Sequence, residues 1–264
     1  MARGAPLDAH RDDICTIFAE PIAEVRSGVE VSYPLTAAVS LPDVEIEAAF
    51  QALLASFGAG LFAAMRRVAA FVAAAPGPGE PEEARRPTSP AEIPGPARYA
   101  FALTLYKDAV DLSGFWGRLG GVFTLPKMLG FQHAWTSRLL GIEIDMGVIL
   151  AHPGALPAAS HAVLIRMLRS RLHGRKVFSG SDSAAAGLTR ALLEIDAVLF
   201  FARALAAGRA ISHADVLEAL RAVELRISAQ VTTRGLAALD PRLRQAWADP
   251  EVARAAAQMF APEG

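Results

Sequence analysis

Large apolar side chains between residues 46 and 72 recur at three- and four-residue steps: Ile46, Phe50, Leu53, Leu54, Phe57, Leu61, Met65 and Val72. That period predicts a helix with an apolar face. Ser40-Leu41-Pro42-Asp43 stands ahead of it with capping-box spacing, and proline is tolerated in a first helical turn. Pro76-Gly77-Pro78-Gly79 cannot continue the helix. The stretch on to Pro96 is rich in Pro, Glu and Arg without apolar periodicity, so it reads as an exposed loop or linker. The chain divides accordingly into an N-terminal helical segment (1–75), a proline-rich linker (76–96) and a main helical region (97–264), expected to make one globular unit.

Helical periodicity returns at residues 98–110, 160–172, 183–207 and 213–232, followed by two short C-terminal helices. Their starts are marked. Ser212-His213-Ala214-Asp215 has capping-box spacing, while Asp240-Pro241 and Asp249-Pro250 each set a carboxylate before a first-turn proline. Alternation at Val29-Glu30-Val31-Ser32-Tyr33 and at Ile142-Glu143-Ile144-Asp145 predicts short strands. Residues 113–125, interrupted by Gly114, Gly117, Gly120 and Gly121, fit either a tightly packed helix face or a loop. The fold expected from this pattern is all-α, or predominantly α. It is an irregular multi-helix bundle around one central apolar helix, with at most one or two short strands.

The central helix is residues 183–207, apolar on nearly every side through Leu188, Leu192, Leu193, Ile195, Val198, Leu199, Phe200, Phe201 and Leu205. It also carries Arg190, Glu194, Asp196 and Arg203. Helical spacing sets Arg190 one turn before Glu194 and Asp196 two turns before Arg203, so each acid has a basic residue in reach. An unpaired buried carboxyl would be costly and would hold its proton, one route to a general acid or base. Glu194 and Asp196 are therefore the catalytic candidates, with ion pairing as the structural alternative.

Composition narrows the function classes. In 264 residues, 53% are hydrophobic and 20% charged, and much of the apolar share is alanine, a helix former. A formal net charge of −1 gives no global attraction to nucleic acid or anionic lipid, so either would have to bind through a local patch. Cys15, the single cysteine, has no partner for a disulfide, a metal site or a redox pair. No export signal is read at the N-terminus, and a cytoplasmic location is expected. Residues 48–65 carry no charge and precede Arg66 and Arg67, but they are few for a span and rich in Ala and Gly. A buried core helix is the better expectation, and membrane association is not expected.

One local patch stands out. Arg166, Arg169, Arg171, Arg175 and Lys176 crowd the end of one helix and the loop after it, and Ser179-Gly180-Ser181-Asp182-Ser183 then opens the central helix. Cations would meet first-turn amides and the hydroxyls of Ser181 and Ser183, an arrangement suited to a phosphate-bearing ligand or a nucleic-acid backbone. The loop matches neither G-x-x-x-x-G-K-[ST] nor G-x-G-x-x-G, and the bland alternative is a solvated arginine face beside an ordinary N-cap.

The histidines at 10, 133, 152, 161, 173 and 213 make no H-E-x-x-H or Glu-x-x-His spacing, and no metal is assigned. His133, Glu143, Asp145 and His152 would converge only through tertiary folding. Phe115, Trp116, Phe123, Phe131 and Trp135 in a glycine-rich region fit a cleft for an apolar ligand or, more simply, dense packing. No Gly-x-Ser-x-Gly elbow is present, and the cofactor is left unknown. The leading expectation is a helical binding or assembly protein with a protein partner or a second copy of itself, and an anion-recognising corner at residues 166–183. The alternative is an enzyme on an anionic small molecule. There Arg169, Arg175 and Lys176 would hold substrate and Glu194 or Asp196 would move a proton.

Overall fold

A strand left alone in a small domain would leave a row of amides and carbonyls without partners, and both alternating segments here find one. In the computed structural model, β1 (Ser32–Pro34) pairs antiparallel with β2 (Ser40–Pro42), Tyr33 opposite Leu41, and β3 (Trp135–Thr136) pairs with β4 (Glu143–Ile144). The residues described are 31–58, 60–74, 92–109, 134–173, 176–178, 181–224 and 241–261. Ser40 is thereby committed to a strand, and the capping box expected from Ser40 and Asp43 is not made. Helix α1 (Asp43–Ala55) starts after Pro42 with no side-chain cap bond.

The periodic stretch 46–72 is broken into two helices, α1 and α2 (Leu61–Ala74). Between them Ser56 Oγ donates to the Leu53 carbonyl at 2.6 Å, closing the first helix, and the glycines at 58 and 60 disfavour its continuation. The start of α2 is capped from a distance: the Leu61 N–H donates to His161 Nδ1 at 3.3 Å, and the same ring stands edge-on to Phe62. The uncharged run 48–65 is thus no continuous helix. Among the described residues, no helix is long and apolar enough to cross a membrane.

The remaining helices are α3 (Gly95–Ala109), α4 (Met146–Ala151), α5 (Ala158–His173), α6 (Ala184–Ala206), α7 (His213–Ala222), α8 (Pro241–Ala248) and α9 (Pro250–Ala256), with a 3₁₀ turn at Lys176–Phe178. The fold is predominantly α, with the two short hairpins as its only sheets among the described residues. Residues 113–125 lie outside the described residues. So does the expected helical stretch beyond Glu224.

α6 is buried along almost its whole length and packs against α2, α3, α4, α5, α7, α8 and α9. Its Phe200 ring is stacked on Trp135 and meets Phe101, Phe201 and Phe260 with centroids 5.4–6.1 Å apart. Each such side chain removed from water contributes about 1.5–3 kcal/mol, so the helix that touches the most neighbours organises the fold. A single apolar core runs from Leu35 to Phe260. The 3₁₀ turn lies directly on the first turn of α6, where a side chain on Gly187 would overlap the Val177 carbonyl.

Three other expected caps form as their spacing predicts, and Asp240 lies outside the described residues. Ser183 accepts from the Ala186 N–H, and Asp249 accepts from the Glu251 N–H ahead of α9. At α7 the Ser212 Oγ accepts from Asp215 while Asp215 accepts from the Ser212 N–H, a complete capping box. Arg209 reinforces it with two bonds of 2.7 Å to the Asp215 carboxylate. The hydrogen bonds from Arg209 hold that carboxyl well below the usual aspartate range against the opposing effect of burial. Ser212→Ala is expected to lower stability by about 1 kcal/mol, read as a shift of the urea midpoint at constant slope. Its cost should shrink in acid, because the Asp215 contribution is present above the unfolded-state pKa and is lost as the pH falls below it.

Candidate functional site

The apolar stripe of α5 fixes which of its cations turn inward. Leu164, Ile165, Met167, Leu168 and Leu172 are buried, and Arg171, three residues after Leu168 and four after Met167, falls on the same side. Arg166, Arg169 and His173 fall on the other side, exposed with Ala162 and Ser170. The cluster that composition suggests is therefore two groups. Arg166, Arg169 and, in the following turn, Lys176 make an outward cationic ridge, with His173 exposed beside them. Arg171 reaches into the protein. Arg175 lies outside the described residues.

Inside, Arg171 Nη2 is 2.8 Å from Glu194 Oε2 of α6 and 2.8 Å from Glu224 Oε1 at the end of α7. Arg190 adds a longer contact, its Nε 3.7 Å from Glu194 Oε1, the one-turn pairing expected from spacing. Its Nη2 also donates to the Lys176 carbonyl, so the same arginine ties the 3₁₀ turn to α6. Burial holds the Arg190 guanidinium below its usual value, with Glu194 opposing and the like charge of Arg171 adding. Burial pushes the Glu224 carboxyl up, Arg171 and Lys176 oppose, and the neighbouring Glu194 carboxylate adds to the rise. These groups differ sharply in access. The side chain of Glu194 is 4% exposed and that of Arg171 10%, whereas that of Glu224 is 41% exposed.

In the first turn of α6, where an anion would use free amides, those of Ala185 and Ala186 already have acceptors within the protein. The Ala185 N–H donates to the Leu35 carbonyl at 2.9 Å, and the Ala186 N–H donates to Ser183 Oγ at 3.2 Å. Leu35 sits between β1 and β2, so the N-terminal hairpin covers this helix end. Ser183 is a buried cap, and Ser181 Oγ is buried with no hydrogen-bond partner among the described residues. Asp182 points to solvent with Arg244 3.8 Å away, an exposed pair of little energetic weight.

Asp196 lies on the opposite face of α6 from Glu194 and is fully buried. The pairing with Arg203 expected from spacing does not form as a contact. Arg203 donates to the Phe260 carbonyl at 2.8 Å and its guanidinium lies over the Phe260 ring, while neither Asp196 oxygen has a hydrogen-bond partner among the described residues.

His152, His161 and His213 serve as joints between elements. His152 accepts the Gly154 N–H at Nδ1 and reaches the Arg209 carbonyl with Nε2 at 2.7 Å. His213 has Nδ1 2.9 Å from the buried Ser160 Oγ, which links the starts of α5 and α7. Among the described residues no three His, Cys, Asp or Glu side chains come close enough to hold a metal ion. His133 and four of the five aromatic residues proposed for a cleft lie outside the described residues, and Trp135 is buried in the core against Phe200.

Glu224 and Leu35 of this corner were missed in the sequence, whereas Arg171 was named there but grouped with the exposed arginines. Arg171 carries a local signal, its place on the apolar stripe. Glu224 and Leu35 carry none, since each arrives by tertiary folding. Compared with known proteins, the chain matches no family model, no curated protein and no solved structure.

Proposed function

We propose that this chain is a cytoplasmic helical binding or assembly protein that meets an anionic group of its partner with the corner formed by α5, the 3₁₀ turn and the end of α7. The observation that carries this reading is the contrast in exposure. Arg166, Arg169 and Lys176 face solvent, whereas the acids of the central helix do not: Glu194 is closed between Arg171 and Arg190, and Asp196 is buried. A general acid or base must come within hydrogen-bond reach of a substrate, so these enclosed carboxyls favour binding over proton transfer. The anion is held by side chains in this reading, because the amides of Ala185 and Ala186 already have acceptors.

The partner is a protein or a second copy of the chain, attracted locally despite a near-neutral total charge. The test is native mass spectrometry on protein purified gently, at low salt, from its own cells. A stoichiometric complex is expected, and Arg166→Ala combined with Arg169→Ala should shift it toward free protomer by about tenfold in dissociation constant. A lone protomer holding a small molecule that it converts would support the enzyme reading instead.

A further inference from the structure

α1 and α5 carry charges of opposite sign. α1 has Asp43, Glu45 and Glu47 and no lysine or arginine, whereas α5 has Arg166, Arg169 and Arg171 and no acid. Glu45, Arg166 and Arg169 are exposed, and none of the three makes an ion pair among the described residues. Glu47, half-buried, accepts a hydrogen bond from Gln51 of its own helix. Between the two glutamates runs an apolar line of exposed residues, Val44, Ala48 and Ala55, at helical spacing. Val44 is 80% exposed, against 44–47% for the other exposed large apolar side chains among the described residues.

The outer face of α5 is the counterpart in reverse order. Ala158, Ala159 and Ala162 are exposed in its first half, Arg166 and Arg169 in its second. Ten residues separate Glu45 from Ala55 on α1 and Ala159 from Arg169 on α5, a rise of about 15 Å in each. Laid antiparallel, the two faces match along their length, glutamates against arginines and alanines against alanines, and short side chains let the helices approach closely. Within one chain α1 and α5 already pack side by side with opposite sense. Leu61, just after α1, bonds His161 near the start of α5, while Phe50 of α1 and Tyr33 ahead of it meet Phe178 beyond the end of α5. A twofold axis along this pair sets each α1 over the α5 of the other copy and keeps the antiparallel sense, so one operation matches both faces twice.

We infer that the outer faces of α1 and α5 form a twofold interface between two copies of this chain, in which Glu45 and Glu47 of one copy meet Arg166 and Arg169 of the other and Val44 is covered. This rests on the anion-binding reading above and identifies the partner's anionic group as the glutamates of a second copy.

Sedimentation velocity on the full chain tests it. The native chain should dimerise at low salt and dissociate as salt is raised. Arg166→Glu with Arg169→Glu, or Glu45→Arg with Glu47→Arg, sets like charges together in both halves of the interface and should weaken the dimer by at least about tenfold. Arg166→Gln with Arg169→Gln, which introduces no repulsion, should weaken it less. An equal mixture of the two charge-reversed variants should dimerise again, because each offers the charge that the other lost, and this recovery requires both to be folded. Glu218→Lys, an exposed reversal on α7, should change the dissociation constant by less than about twofold. A native chain that stays monomeric at low salt would overturn the second-copy interface and leave the corner to another anionic partner, which the native mass spectrometry above detects independently. A dimer weakened by the arginine reversals but not by the glutamate reversals would overturn α1 as the occupant and keep the corner. A dimer indifferent to the arginine reversals, or a mixture that stays monomeric, would overturn the pairing itself.

Discussion

Gly187→Ala is expected to destabilise the fold by about 3 kcal/mol, although alanine is the better helix former by about 1 kcal/mol. The two effects oppose each other, and geometry decides between them. Gly187 is in the first turns of α6, and an added methyl would overlap the Val177 carbonyl, which is backbone and cannot rotate away as a flexible side chain would. The turn that carries Val177 is pinned on several sides. Arg190 donates to its Lys176 carbonyl, the Val177 side chain is buried, and Phe178 meets Tyr33 and Phe50 with ring centroids 5.0 and 6.2 Å apart. Making room would lift the turn from α6 and disturb these contacts together. Urea unfolding of the two proteins measures the difference; a variant as stable as the parent would mean that the turn does not lie on the helix.

Asp196 should make the stability of the native protein fall with rising pH. Burial pushes its carboxyl well above the usual aspartate range, and Arg203, the charge that opposes this, gives its hydrogen bond to Phe260 instead. The folded chain then keeps a proton that the unfolded chain has released. The Asp196 contribution is highest below the ordinary aspartate value of 3.8 and declines above it, by about 1.4 kcal/mol per pH unit, until the folded-state carboxyl itself ionises. Asp196→Asn removes this slope, and Asp196→Leu adds further stability at neutral pH by removing a buried polar group without a partner. The difference in urea midpoints between parent and Asp196→Asn, followed from pH 4 to 8, isolates the residue from Asp215, whose contribution is present in both proteins. Parallel profiles would exclude a protonated Asp196.

What could be read in the chain follows the range of the interaction. Caps at Ser183, Ser212 and Asp249 and the Arg190–Glu194 pairing lie within four residues and form as their spacing predicts, whereas the equally local box at Ser40 and Asp43 gives way to strand pairing. The apolar character of α6 was equally legible, since a helix without a polar face has to be central. Apolar period alone did not reveal the break between α1 and α2, because the stripe continues in phase across Gly58 and Gly60 while the backbone does not. The candidate site was read least well. Its first-turn amides were expected to be open, yet the Leu35 carbonyl, 150 positions earlier in the chain than Ala185, occupies one of them. Counting arginines likewise grouped Arg171 with Arg166 and Arg169, although the stripe of α5 turns it the other way.

The central place of α6 also has a consequence for synthesis. Its apolar sides are covered by α2 and α3, made before it, and by α8 and α9, which begin only at Pro241. A nascent chain that has completed α6 carries an almost wholly hydrophobic helix with the faces meant for α8 and α9 still open, through at least the next 34 residues from Ala207 to Asp240. At ribosomal speeds of about 5–20 residues per second this lasts for seconds, long enough for a holding chaperone or a neighbouring nascent chain to engage the open surface.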